Sequence, residues 1–136
     1  MRSSHVFLTY LASLAAFLVL DFLWLGALAR GFYREQMGHL MRPDVQWIPA
    51  FAFYALFVGA ILVFVVLPAA ERGSLARAAL LGAFFGLVTY ATYDLTNLAV
   101  LEGFRTRLAL VDMAWGTTLC SLVSMVGYAA ARRLGG

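Results

Sequence analysis

Four apolar stretches, residues 6–29, 48–67, 78–101 and 108–131, occupy most of this 136-residue chain and leave it little choice of solvent. At about 1.5 Å per residue, each is long enough to cross a hydrocarbon core of roughly 30 Å. In lipid every backbone N–H and C=O must be paired within the structure, and runs this long pair as helices rather than strands. The expected fold class is all-α: an integral membrane four-helix bundle, forming one transmembrane domain over residues 1–136.

Composition points the same way. Apolar residues make up 63% of the chain and charged residues 12%, with a mean hydropathy of +0.86. A soluble domain carries about 25% charged residues. All ten basic side chains are arginines, set between and beyond the apolar stretches, where they suit lipid phosphates. No basic run exceeds Arg132-Arg133, so the lipid bilayer is the expected partner and nucleic acid is not.

The first 30 residues resemble a secretory signal, with Arg2, an apolar run and then Ala27-Leu28-Ala29. The run is longer than the 7 to 15 residues or so of a signal and contains Asp21 and Trp24, so a retained helix is expected. The single cysteine, Cys120, excludes a disulfide within the chain. With His5 and His39 the only histidines, no metal site and no cofactor is expected.

Residues 68–77 and 102–107 are short connections, so the second and third spans, and the third and fourth, are antiparallel neighbours. Pro49 suits the first turn of the second span, and Pro68 is expected to end it. Residues 30–47 form the long loop. Its apolar positions Phe32, Tyr33, Met37, Leu40 and Met41 alternate with Arg34, Glu35, His39 and Arg42. That spacing fits a short amphipathic interfacial helix ended before Pro43, or equally an irregular loop. Five arginines fall on each side, and the positive-inside rule has no asymmetry to act on.

Asp21, Asp94 and Asp112 each lie inside an apolar stretch. By helical rise they sit about 12, 10 and 6 Å below one membrane face, within one leaflet. Each costs roughly 2.5 to 3.5 kcal/mol to insert. Phase turns them inward. Ala78, Gly82, Gly86, Tyr90 and Asp94 recur at four-residue spacing, with Asn97 beyond, and Gly82 and Gly86 form a close-packing step. Asp112, Gly116, Cys120 and Ser124 follow the same spacing, then Gly127. Ser13, Phe17, Asp21 and Trp24 make a similar stripe. Phe51, Phe53, Tyr54 and Phe57 make the second span an aromatic wall.

Trp24 and Trp115 each follow an aspartate by one turn, where the indole N–H can donate to it. The run Tyr90 to Asn97, which includes Tyr93, is the densest polar segment in any span. Buried polar residues can simply clamp helices, each bond contributing about 0.6 to 2 kcal/mol. Three carboxylates in one leaflet favour a ligand or proton site made of Asp21, Trp24, Tyr90, Tyr93, Asp94, Asn97, Asp112 and Trp115. Gly82, Gly86 and Gly116 are expected to be packing residues, as is Cys120; His39 is read as interfacial and Glu102 as a solvated helix end.

The runs Leu20-Asp21-Phe22-Leu23-Trp24-Leu25-Gly26, Phe32-Tyr33, Pro49-Ala50, Phe53-Tyr54, Tyr90 to Asn97 and Asp112 to Thr117 together resemble a family of small bacterial inner-membrane proteins, domain of unknown function 2177. The resemblance implies a four-helix protein of the bacterial inner membrane. It implies no activity and assigns no residue a role.

The site chemistry points first to binding or transport of a small amphipathic or cationic molecule, with an aspartate as counter-ion. The balanced arginines also fit a homodimer of antiparallel copies, as in small dual-topology exporters, although the glutamate those carry in the first helix is absent here. An intramembrane enzyme acting on a lipid ranks lower, because no nucleophile motif, metal box or phosphate loop is present. A third reading is an accessory subunit of a larger membrane complex.

Overall fold

A computed structural model describes residues 3–38 and 46–135. Among these residues the chain forms helices α1 (Ser3–Leu28), α2 (Arg30–Met37), α3 (Trp47–Arg72), α4 (Leu75–Val100) and α5 (Thr106–Gly135), with no strand. All but α2 are long and apolar enough to cross a membrane. The all-α membrane bundle is therefore present; each span starts before the limit drawn from charge alone, and α3 and α5 also end beyond it.

α5 is the central helix, packed along α1 and along the whole face of α4. Small residues make that approach possible. A Cβ on Gly86 would meet the Gly116 carbonyl and, at 2.8 Å, the Cys120 Cβ. A Cβ on Gly82 would meet the Cys120 carbonyl at 2.7 Å, and one on Gly116 would enter the Tyr90 ring. Lipid offers little hydrophobic drive for helix association, so close van der Waals contact of this kind carries much of the cohesion. From α1 the buried stripe is Thr9, Ser13, Phe17 and Asp21, the four-residue phase read from the sequence. Phe17 is wholly buried against Tyr54 and Phe57 of α3, with ring centroids 5.7 and 5.6 Å apart.

Pro68 does not end the helix. α3 continues to Arg72, after a π-helical turn over Leu62–Val66. Proline lacks an N–H and its ring strikes the carbonyl four residues back. The wider turn displaces that carbonyl and lets the helix pass through. The true stop is Gly73, left-handed at φ 61°. Its N–H donates to the Ala70 carbonyl at 3.1 Å and that of Ser74 to Ala69 at 3.2 Å, closing the helix as a Schellman motif. The Ser74 hydroxyl then caps α4 by accepting from the Arg77 N–H at 3.0 Å.

The first loop is helical where it is described. α1 closes in a second π-helical turn, Trp24–Leu28, in which the Ala29 N–H donates to the Trp24 carbonyl at 2.7 Å. α2 starts at the next residue and folds back over the ends of α1 and α5. Tyr33 and Gln36 face inward. The expectations for His39, Leu40, Met41, Arg42 and Pro43 fall outside the described residues. Near its Trp47 end α3 leans on α1, through a bond from the Tyr10 hydroxyl to the Ala55 carbonyl at 3.0 Å. It leaves a groove of about 560 Å³ against α4.

Candidate functional site

The polar residues gather where α1, α2, α4 and α5 meet. Asp21 is buried, 7% exposed, at the last α-helical turn of α1. It does not bond the indole one turn along its own helix. Its Oδ1 accepts from Trp115 Nε1 of α5 at 3.2 Å. Trp24 likewise ignores Asp21 and donates to the Tyr33 hydroxyl of α2 at 3.2 Å. Tyr33 in turn donates to Asp112 Oδ1 at 2.7 Å. The pairing expected within each helix is thus exchanged between helices. The reason is steric: both indoles turn into the α1–α5 interface and stack, with centroids 4.5 Å apart and planes 7° from parallel. Each ring edge then lies nearer the opposite helix.

Tyr33 was not among the candidates read from the sequence. The only signal for it was the amphipathic pattern of residues 30–37, in which it is the one inward residue with an aromatic body and a polar tip. Burial, and then the neighbouring Asp112 carboxylate, push its phenol above the ordinary tyrosine range, so it serves as a donor. A short O–H···O bond to a carboxylate is the charge-assisted kind. The Arg107 guanidinium, 5.9 Å over the Phe32 ring, gives α2 a second tie to α5.

Asp94 has a different environment. It is wholly buried, neither carboxyl oxygen accepts an N–H or O–H among the described residues, and the Asp112 carboxyl lies beside it. It shares with Asp112 and Tyr33 the wall of a cavity of about 230 Å³, lined also by Met37, Phe104 and Leu108. Asp21 does not line this cavity and lies behind Trp115. Tyr93, 54% exposed, and Asp112 wall both this cavity and the groove between α3 and α4. Tyr90 is half-buried, lines the groove, and meets Phe57 edge-on at 6.2 Å. Asn97 is half-buried one turn past Tyr93, and its backbone carbonyl accepts from the Leu101 N–H at 2.9 Å. Cys120 is buried against Gly82 and Gly86.

Among the described residues no three His, Cys, Asp or Glu side chains are grouped to hold a metal ion. What the arrangement offers is two carboxyl groups, each with one oxygen held by an N–H or O–H donor, and a third that accepts no such donor among the described residues, beside an aromatic-lined groove.

Neither a curated protein nor a solved structure matches the chain. A family described as "Predicted membrane protein (DUF2177)" matches residues 6–129, a stretch that contains all four spans' apolar cores and every residue of the site. The chain belongs to that DUF2177 family of membrane proteins.

Proposed function

We propose that this chain binds or transports a small amphipathic or cationic molecule in one leaflet of the bacterial inner membrane, with Asp94 and Asp112 as its counter-ions. The observation that carries the reading is Asp94, wholly buried on a cavity wall beside Asp112, with no donor to either oxygen among the described residues. Inserting a carboxyl group at a helix centre costs roughly 2.5 to 3.5 kcal/mol. Leaving a buried polar group unpaired adds about 1 to 3 kcal/mol. A helix clamp would recover part of that cost through hydrogen bonds, as Asp21 does with Trp115 and Asp112 with Tyr33. Asp94 accepts no such donor among the described residues and has only a second carboxyl, Asp112, beside it, which fits a group that meets a cationic ligand.

The test is binding of tetraphenylphosphonium to the purified protein in lipid nanodiscs, wild type against Asp94→Asn. The amide keeps size and hydrogen bonding and loses ionisation. Loss of binding by about tenfold or more, with an unchanged melting temperature, supports the reading. Equal binding by the two proteins sinks it.

A further inference from the structure

The site has two flanks, and they differ in what can pass. Above the inner cavity α2 is held by the Tyr33–Asp112 and Trp24–Tyr33 hydrogen bonds and by Arg107 on Phe32. Tyr33, Phe104 and Leu108, at 8%, 7% and 2% exposed, wall that end. Toward the lipid, the groove between α3 and α4 opens past Phe53 and Tyr93, which are 47% and 54% exposed. Thr89 and Thr92 turn their hydroxyls to the Phe85 and Val88 carbonyls, each at 2.8 Å, so their polar atoms are spent on their own helix. The groove is thus largely aromatic, with the Tyr90 and Tyr93 phenols on its wall, until it reaches Asp112, the carboxylate it shares with the inner cavity. Behind Asp112 stands Asp94, buried and with no donor to either oxygen among the described residues.

We propose that the ligand is a single-chain amphipathic cation that reaches Asp112 sideways from the lipid, through the groove between α3 and α4. This rests on the counter-ion reading above and adds the ligand's form and its route. A groove of about 560 Å³ is the size of a drug-like ligand site and not of a two-chain lipid. Groove and lipid tails are alike in polarity, so the ligand's tail gains little on leaving the bilayer. The tail's work is to concentrate the molecule in the leaflet. Selection falls to the head, which exchanges the membrane interface for the charge of Asp112.

The experiment uses the full chain in phosphatidylcholine nanodiscs and two probes with the same head, dodecyltrimethylammonium and tetramethylammonium, with neutral dodecanol as competitor. Dodecyltrimethylammonium should bind saturably, about tenfold or more tighter than tetramethylammonium, and dodecanol should not displace it. Asp112→Asn should weaken both cations. Thr92→Trp, at an exposed position on the groove wall, should weaken the dodecyl probe by about tenfold while melting like the wild type. If tetramethylammonium binds as tightly as the dodecyl probe and Asp112→Asn weakens both, the ligand comes from water; the route is overturned and the counter-ion reading stands. If a folded Thr92→Trp protein binds the dodecyl probe like the wild type, the groove is overturned as the route. If neither Asp112→Asn nor Asp94→Asn changes the binding of either cation, the inference and the reading beneath it both fall.

Discussion

Trp24 and Trp115 lie face to face, 4.5 Å between centroids, and each sends its N–H away from the aspartate one turn before it. Trp115 reaches Asp21 on α1, and Trp24 reaches Asp112 on α5 through the Tyr33 hydroxyl. The two helices are therefore cross-linked twice around the stack, once directly and once by way of α2. This leaves Asp94 as the aspartate of the site with no such tie among the described residues.

The direct link predicts a paired mutational result. Trp115→Phe keeps an aromatic ring for the stack but strands the buried Asp21 carboxyl, and should cost about 1 to 3 kcal/mol. Adding Asp21→Leu removes the stranded group and should return most of that loss. Thermal unfolding in detergent of both single variants and the double variant checks it. Additive losses would show that the two residues are not energetically coupled.

The indirect link should hold α2 in place. Tyr33→Phe removes a hydrogen bond to a carboxylate, worth about 1.5 to 3 kcal/mol. Amide hydrogen exchange should accelerate over Arg30–Met37 and stay slow in the central turns of α4 and α5. Acceleration throughout the chain would mean that Tyr33 supports the whole bundle.

The same residue sets a pH dependence. A folded-state phenol raised above its unfolded value favours the folded protein fully below the unfolded pKa, about 10. That contribution is lost as pH rises beyond about 10 toward the folded value. The stability difference between wild type and Tyr33→Phe should be flat up to about pH 9 and shrink above about pH 10. Denaturation in detergent across that range measures it, and a difference that widens with pH would contradict the sign.

Gly86 and Asp94 should part company. Gly86→Leu drives a side chain into the Gly116 carbonyl and the Cys120 Cβ, and should destabilise by about 1 to 3 kcal/mol or more. Asp94→Asn removes a buried ionisable group that accepts no protein donor among the described residues and stands against a second carboxyl, and should melt at or above the wild type. Melting temperatures in detergent decide, and a strongly destabilised Asp94→Asn protein would make Asp94 a structural residue.

The sequence by itself determined the solvent, the number of spans and the inward faces. Apolar length sets the first two, because lipid forces every long apolar run to satisfy its own backbone. The four-residue spacing of Ser13, Phe17 and Asp21, and of Gly82, Gly86 and Asp94, sets the faces, because helical phase is local and survives into the packed structure. Partners were not legible, because they depend on how one helix is turned and shifted against another. The π-helical turn over Leu62–Val66 carries α3 past Pro68, where a proline in an apolar run reads as a stop. The turn at Trp24–Leu28 adds one residue, shifts the helical phase by about 100°, and precedes α2, which brings Tyr33 onto Asp112, 79 residues away. Local spacing paired each tryptophan with the aspartate of its own helix. Only the tertiary structure, by stacking the two indoles between α1 and α5, exchanged those partners and left Asp94 at the cavity wall with no donor among the described residues.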